Sequence, residues 1–341
     1  MHKAVAAVFL LFAFCQNLSA EPLKVKAAAP IELRLGHVGA PGSLYDLTAN
    51  EFARRVNEKL RGRVTVTVVP DSKLGNDPQL LDKVRHGEVD FCMPAPATSS
   101  ISPMFSVFDV PYLVLTRQHI RNSRDEILKK YFRPAAHAQG LVVLGMWENG
   151  FRQITNNVRP IRTPKDLAGL RIRVPQGSRF LVALKSYGAQ PGEYPFGPPL
   201  VEALRDGKFD GHENPFTLIR SLKMDTVQKY LSLTYHLYMP VYLVGNEKKM
   251  AALPHDVQAV LKKTAADMQD WSMSQGERLD IELRTTLSHT MVVNDIDTLS
   301  FLAASLPAYR QFAADVPEGK DLIRLLYDRT SFAAATGHTW Q

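Results

Sequence analysis

Cysteine is scarce in this chain of 341 residues, which contains only Cys15 and Cys92. Cys15 falls in an N-terminal segment that we expect to be removed, so the mature chain keeps one thiol and cannot form an internal disulfide. The fold must therefore be held by packing, and 45% apolar residues are enough for one large core or two medium ones. We interpret Cys92, which lies in an apolar run, as an inert buried thiol.

Long apolar runs are also missing from the sequence. At the N-terminus, the apolar residues 4–14 are too few to cross a bilayer, which needs about 20 residues. They follow the basic Lys3 and precede the small-residue site at residues 18–20, and this order is typical of a secretory signal. We predict that residues 1–20 are a signal peptide and that the mature protein is exported.

Catalytic motifs and clustered basic residues are absent too. The sequence has no Gly-x-Ser-x-Gly elbow, no His-Glu-x-x-His motif and no glycine-rich phosphate loop, and its ten histidines are dispersed. His212 and Glu213 are the nearest candidates for an acid–base pair, but adjacent residues usually point apart.

The net charge of +7 comes without a Lys/Arg-rich run. This pattern favours electrostatic steering of an anionic solute rather than binding of nucleic acid. We predict no enzyme activity, no cofactor and no metal, with an exported hydrolase as the rival class.

The part of the chain after residue 30 alternates between strand and helix patterns. Residues 31–35 and 64–68 alternate as strands around an intervening helix. Asp77 and Pro78 then suit a helix start, with Asp77 as its N-cap, and residues 89–93 form the next strand. This order predicts an α/β fold with a mostly parallel sheet and helices on its faces.

A weak internal repeat and a long helical stretch indicate two lobes. Residues 84–90 and 204–210 share a helix end, a glycine and a strand entered with aspartate, 120 residues apart. Residues 230–245 suit a strand that crosses between the lobes. A helical pattern of about 35 residues then ends at His289 and could reach about 50 Å, with Gly276 as a candidate kink.

Arg173 is the main candidate for binding chemistry. It lies where Leu170, Ile172 and Val174 alternate with arginines, the pattern of a half-buried strand. A buried arginine needs a partner because it cannot lose its proton, and its planar fork suits a carboxylate. For both Arg173 and Arg152, the alternative is a fixed salt bridge within the protein.

Several segments resemble the solute-binding subunits of TRAP (tripartite ATP-independent periplasmic) transporters, the family of the C4-dicarboxylate-binding protein. The resemblance runs from about residue 31 to about residue 266, and its motifs include Gly150-Phe151-Arg152, Leu170-Arg171-Ile172-Arg173-Val174-Pro175, Asp210-Gly211-His212-Glu213-Asn214-Pro215 and Leu74-Gly75-Asn76-Asp77.

This resemblance implies a two-lobed periplasmic binding protein fold, with lobes joined by crossing strands and a long spanning helix. By that likeness we assign residues 31–151 with 241–280 to the first lobe and residues 152–240 with 281–341 to the second.

The same resemblance assigns residues to a ligand site. Arg173 becomes the anchor that grips a substrate carboxylate, and Asn214 adds an amide donor to the same group. Arg152 lies near the pocket, where it would raise the potential or bind a second polar group. Phe196 falls where the family places an aromatic residue against the ligand. The sequence departs from the pattern just after it, so core packing is an equal alternative.

Four further positions are weaker candidates for contact with ligand. Asp77 matches a position that contacts ligand in some relatives, but the N-cap role explains it equally. His212 could bond the ligand or hold the Asn214 loop. Trp147 lies near the expected hinge, and Tyr235 lies on the expected crossing strand.

The resemblance implies that the protein captures a small organic acid anion in the periplasm and delivers it to the small and large membrane subunits of a TRAP transporter. We expect a monomer that binds neither nucleic acid nor cofactor. A binding protein that serves a sensor or another type of transporter is the alternative within the same class.

Overall fold

The computed structural model describes residues 29–328, so the predicted signal peptide at residues 1–20 lies outside the described range. Its strands are β1 (Ile31–Gly36), β2 (Val64–Val69), β3 (Phe91–Cys92), β4 (Leu141–Asn156), β5 (Arg171–Val174), β6 (Gln190–Glu193), β7 (Gly211–Pro215), β8 (Tyr230–Ser232), β9 (Tyr238–Asn246) and β10 (Val292–Asn294).

These strands pair in the order β2-β1-β3-β9-β4-β7-β5-β6, with β8 against β4 and β10 against β8. Strand β1 is parallel to β2 and β3, and β5 is parallel to β6 and β7. The pairings of β9 with β3 and β4, and of β4 with β7, are antiparallel. Two parallel half-sheets, one in each lobe, are therefore joined by the long strands β4 and β9.

The helices are α1 (Leu44–Lys59), α2 (Asp77–Arg85), α3 (Arg117–Ile127), α4 (Arg133–His137), α5 (Leu181–Ser186), α6 (Pro198–Arg205), α7 (Phe216–Ser221), α8 (Glu247–Ala252), α9 (His255–Ser288), α10 (Thr298–Ala304), α11 (Leu306–Asp315) and α12 (Gly319–Asp328). Within residues 29–328, none of them combines the length and the apolar character that a bilayer crossing requires.

Helix α9 has 34 residues and packs against α1 in the first lobe, against β4 and against α7 in the second. At 1.5 Å per residue it is about 50 Å long, which confirms the predicted spanning helix. The helix runs without a break through Gly276. A Cβ at Gly276 would lie 2.6 Å from Oε1 of Glu148, and glycine thus allows the helix to approach the hinge strand β4.

The internal repeat corresponds to the same local structure in both lobes: a glycine after a helix, followed by an aspartate that bonds the neighbouring strand. Gly87 and Gly207 have φ of 75° and 68°, respectively, and follow α2 and α6. The Asp90 carboxylate then accepts a hydrogen bond from the backbone N–H of Arg34 on β1, and Asp210 accepts one from Arg171 on β5, each at 2.8 Å. Each aspartate thus fastens the third strand of a half-sheet to its central strand.

Two predicted strands are shorter than expected. The pattern at residues 89–93 yields only the two-residue β3, and the predicted crossing strand at residues 230–245 divides into β8 and β9. The break contains Tyr235, whose φ of 43° lies in the left-handed region, outside the extended conformation of a regular strand. The crossing between lobes is made by β9 together with the 16-residue β4.

The C-terminal helix α12 packs on the first lobe, although residues 281–341 were predicted to belong to the second. Leu322, Ile323 and Leu326 are buried in one cluster with Phe105 and Phe132. The ring of the first-lobe residue His119 also bonds the carbonyl oxygen of Leu326. An amphipathic pattern predicts that a helix has an apolar face, but not which lobe covers it.

Candidate functional site

Arg173 is buried without a counter-ion. It lies on β5 between β6 and β7, and it is 1% exposed. Its Nε donates to the carbonyl oxygen of Tyr194 at 2.7 Å, but its Nη1 is buried and has no hydrogen-bond partner. Burial lowers the pKa of Arg173 to about 9, so the group is still protonated at neutral pH. Among the described residues no carboxylate lies within salt-bridge distance of it, although the charges of Glu213 and Asp77 act to raise its pKa. A buried charge without a direct partner is costly.

Arg152, in contrast, is neutralised within the protein. Its Nε and Nη2 both bond the Glu213 carboxylate, Nη2 at 2.8 Å from Oε1. Burial acts to raise the pKa of Glu213, but the charge of Arg152 and hydrogen bonds from His236 and Arg152 outweigh it and lower the pKa to about 2. Of the two candidate arginines, Arg152 therefore has the internal salt bridge, and Arg173 has the unmatched charge.

Asn214 connects Arg152 to His212. Its Oδ1 accepts a hydrogen bond from Nη2 of Arg152 at 3.0 Å, which leaves its amide nitrogen to donate to Nδ1 of His212 at 3.1 Å. Burial, together with the charge of Arg173, lowers the pKa of His212 to about 3. The ring is therefore neutral at pH 7, and its proton must be on Nε2, because Nδ1 acts as the acceptor.

The Nε2–H of His212 is a second buried donor without a partner. His212 on β7 is the register partner of Arg173 on β5, so the two side chains are neighbours in the parallel half-sheet. Two unmatched N–H donors, one of them charged, thus lie next to each other in the second lobe. An anion with at least two acceptor atoms could satisfy both.

A small cavity lies between the lobes beside Arg173. Its walls come from both lobes, with Val38, Asn76, Asp77, Pro78 and Pro96 from the first and Arg173, Pro175, Gln176, Pro195 and Phe196 from the second. Its volume of about 30 Å³ is close to that of one water molecule. A ligand with several carbon atoms is larger than this cavity, so it needs more room between the two walls than this arrangement gives.

The predicted N-cap role of Asp77 is wrong. Asn76 is the N-cap of α2, where its side chain accepts from the backbone N–H of Gln79 at 3.1 Å and the Gln79 side chain accepts from Asn76 N–H at 3.0 Å. Asp77 is the first helical residue, and its Oδ1 is buried without a partner. Burial raises the pKa of Asp77 to about 7, opposed by a hydrogen bond from Ala95 N–H and by the charge of Arg173.

Trp147 and Tyr235 lie away from this cavity. The Trp147 ring is fully buried against Phe52, at 5.4 Å between centroids, and its indole N–H donates to the Ala265 carbonyl oxygen at 2.9 Å. Tyr235 is 37% exposed and lines a separate cavity of about 420 Å³ that includes Arg117. Of the predicted ligand residues, Arg173, Asp77 and Phe196 line the cavity. Arg152, Asn214 and His212 form a hydrogen-bonded group on the strands beside Arg173.

Tyr45 lies near the N-terminus of α1 and packs in the apolar core of the first lobe. It is 2% exposed, and burial raises the pKa of its hydroxyl. In the sequence its position coincides with the apolar stripe of α1, where an aromatic residue is indistinguishable from core.

Among residues 29–328, no group of three or more His, Cys, Asp or Glu side chains is arranged to hold a metal ion.

Two parallel half-sheets joined by crossing strands, with an unpaired buried arginine at their junction, define a two-lobed solute-binding protein. The family model for bacterial extracellular solute-binding protein, family 7, matches residues 35–315. The chain belongs to this family, whose members bind solutes rather than transform them, and the predicted relationship to TRAP solute-binding subunits is confirmed.

Individual relatives cover most of the chain. It is 31% identical over 300 residues to the 2,3-diketo-L-gulonate-binding periplasmic protein YiaO of Escherichia coli (strain K12), covering 86% of this chain and 90% of that protein. It is 31% identical over 250 residues to the C4-dicarboxylate-binding periplasmic protein DctP of Rhodobacter capsulatus, covering 72% and 74%. A solved TRAP periplasmic solute binding protein from Polaromonas sp. JS666, bound to D-erythronate, has a TM-score of 0.82 at 29% identity, covering 87% and 98%.

Proposed function

We propose that this protein captures a small organic acid anion between its lobes, with Arg173 as the anchor, and delivers it to the small and large membrane subunits of a TRAP transporter. The observation that carries the proposal is the buried, protonated guanidinium of Arg173, which has no counter-ion among the described residues. A charge in this position needs an anion from outside the chain. The names of the relatives support a carboxylate.

The carboxylate head of the ligand accepts from Nη1 of Arg173 and from Nε2 of His212, the two buried donors without partners. Hydrogen bonds to a charged group contribute about 1.5–3 kcal/mol each. Two of them, with an apolar wall that includes Phe196, are consistent with micromolar affinity, about −8 kcal/mol. Arg152 and Asn214 do not contact the ligand but orient His212. Arg152 bonds the oxygen of Asn214, and the Asn214 amide then fixes the proton of His212 on Nε2.

Closure of the cleft couples binding to delivery. Arg173 and Phe196 come from the second lobe and Asp77 from the first, so a ligand that contacts both walls favours the closed form. Strand β4 pairs with β9 along its first part and with β7 along its last part, so it links the two half-sheets and is the natural hinge. The closed form is the one that we propose docks on the membrane subunits.

The cellular setting belongs to the same proposal. Residues 1–20 direct the protein to the periplasm and are removed there, and the mature protein acts as a monomer. Without Lys3 the mature protein has 40 basic and 34 acidic side chains, and its net charge of +6 raises the local concentration of anions, an effect that weakens with salt.

The test is calorimetric titration of a panel of organic acids into the wild-type protein, Arg173→Ala and Arg173→Lys. We expect at least one acid to bind the wild type and to bind Arg173→Ala at least about 10-fold more weakly, because the variant loses the charged hydrogen bond from Nη1. Arg173→Lys recovers little, because a point charge cannot reproduce the planar fork.

Arg171→Ala is the matched control. Arg171 lies two residues away on β5, but its side chain is 46% exposed and pairs with Asp210. The Arg171→Ala variant should bind the ligand with the affinity of the wild type. Near wild-type affinity in Arg173→Ala would contradict the anchor role.

A further inference from the structure

A groove lies in the first lobe, between the start of β4 and the helices α4, α8 and α9. We call it the first-lobe groove. Its volume is about 560 Å³, and sites for small molecules are typically about 300–1,000 Å³. None of the residues that line it also lines the cavity beside Arg173. The first-lobe groove is therefore separate from the cleft between the lobes.

The floor of the first-lobe groove is apolar. It includes Leu141, Val143 and Leu144 of β4 and Met250 of α8, each of which is no more than 5% exposed. A methionine side chain is unbranched and adapts to irregular apolar shapes. Hydrocarbon that covers this floor leaves water together with the floor itself, which favours binding.

The rim of the first-lobe groove carries positive charge that the protein does not neutralise. Lys262 of α9 is exposed and has no ion pair or hydrogen bond within the described residues. Arg133 of α4 is also exposed and donates from Nε to the carbonyl oxygen of Val143 at 3.2 Å, without an ion pair in the same range. Glu247 is the one acidic residue among those that line the groove, and its carboxylate bonds Nδ1 of His137.

We propose that the first-lobe groove is a second binding site, which takes an amphipathic anion with a carboxylate or phosphate head and a hydrocarbon body. The head pairs with Lys262 and with the two Nη groups of Arg133, which the bond from Nε to Val143 leaves available. The body covers the apolar floor. A free fatty acid and an anionic membrane lipid both present this chemistry.

The floor and the rim together exclude simpler ligands. A small inorganic anion would use only the exposed charges of Arg133 and Lys262, and exposed ion pairs contribute little by themselves. A neutral hydrocarbon would leave these charges without a partner, and a cation would be repelled by them. Only a ligand that combines charge and hydrocarbon uses both features of the groove.

The experiment is calorimetric titration of octanoate, acetate and octan-1-ol into the wild type and into Arg173→Ala, which lacks the anchor of the cleft. Acetate offers the head alone, and octan-1-ol offers the body alone. Octanoate should bind both proteins, at least about 10-fold more tightly than either of the other compounds, because it adds several buried CH₂ groups to a charged head. Its affinity should fall with added salt, which screens exposed charges.

Methyl NMR of methionine should place the bound octanoate. The methyl signal of Met250, assigned with Met250→Leu, should shift on titration because Met250 lines the groove. The signal of Met224, which is buried in the core of the second lobe, should not move.

The variant that tests the rim combines Arg133→Gln with Lys262→Gln. It should bind octanoate at least about 5-fold more weakly, the value of one good exposed ion pair. Lys263→Gln is the matched control. Lys263 is the next residue along α9, but it is 72% exposed, pairs with Asp267 and does not line the groove. Circular dichroism checks that both variants fold, as expected for exposed positions.

Vesicles distinguish the two sources of the ligand. If the wild type, but not the double variant, sediments with phosphatidylglycerol vesicles and ignores phosphatidylcholine vesicles, the ligand is an anionic membrane lipid. If octanoate binds in the groove but vesicles do not, the ligand is a free acid. The inference is overturned if octanoate binds no more tightly than acetate, if the Met250 signal stays in place, or if the double variant keeps the wild-type affinity for octanoate.

Discussion

Asn214 donates its amide N–H to Nδ1 of His212 over 3.1 Å, and this contact determines which ring nitrogen of His212 carries the proton. The amide has this orientation because its oxygen accepts from Arg152. Arg152 thus contributes to the site without a free charge, by fixing a neutral histidine as a donor beside Arg173. The four residues belong to three neighbouring strands, β4, β7 and β5, and only the sheet brings them together.

Asn214→Asp should reverse this proton position. A carboxylate at this position accepts from the ring, so the proton moves to Nδ1 and Nε2 becomes an acceptor that faces the anion. We expect ligand affinity to fall about 10- to 100-fold, the value of one charged hydrogen bond, as measured by titration.

Nitrogen NMR of the His212 ring should show the shift of the proton directly. Asn122→Asp on α3, an exposed amide that accepts from Gln118, is the control for the added charge. If the proton moves to Nδ1 but the ligand affinity does not change, Nε2 of His212 does not contact the ligand.

Arg173→Met should stabilise the ligand-free protein. The substitution removes a buried charge that lacks a counter-ion and keeps the length of the side chain. We expect the free energy of unfolding in urea to rise by about 1–4 kcal/mol, the range seen when apolar residues replace buried charges. Ligand should no longer stabilise this variant. A loss of stability would indicate that Arg173 has a structural role instead.

Glu213→Gln should destabilise the protein strongly, because it leaves the charge of Arg152 buried and unpaired. The expected loss is about 3–5 kcal/mol in the free energy of unfolding. Glu282→Gln, which breaks an exposed ion pair with Arg278 on α9, should cost less than about 1 kcal/mol.

The ion pair between Glu213 and Arg152 also predicts that the stability of the protein depends on pH. The pKa of Glu213 in the folded protein is lowered below its ordinary value of 4.5, so the pair contributes fully above pH 4.5 and loses its contribution as the pH falls towards 2. The difference in stability between the wild type and Glu213→Gln should shrink over that window. A constant difference from pH 6 to pH 3 would contradict the assignment.

Local sequence patterns predicted the elements that depend on local physics. The alternating strands β1 and β2, the start of α2 near Asp77 and the long helix that ends near His289 all follow from periodicity and capping residues. The lengths of β3 and β9 were not predictable, since they depend on which strands lie beside them. The N-cap of α2 was misplaced by one residue because Asn76 and Asp77 are both good caps, and only the hydrogen bonds distinguish them.

The sequence by itself determined that an arginine would be buried in a strand, because Arg173 lies among residues that must face a core. It could not decide which arginine carries a free charge. Arg152 and Arg173 are equally buried, and they differ only in that Glu213, 61 residues further along the chain, reaches Arg152. That difference is a matter of strand order and register, so it arises only when β4, β5 and β7 pair. The cavity has the same origin, since Asp77 and Arg173 line it from different lobes and are 96 residues apart in the chain.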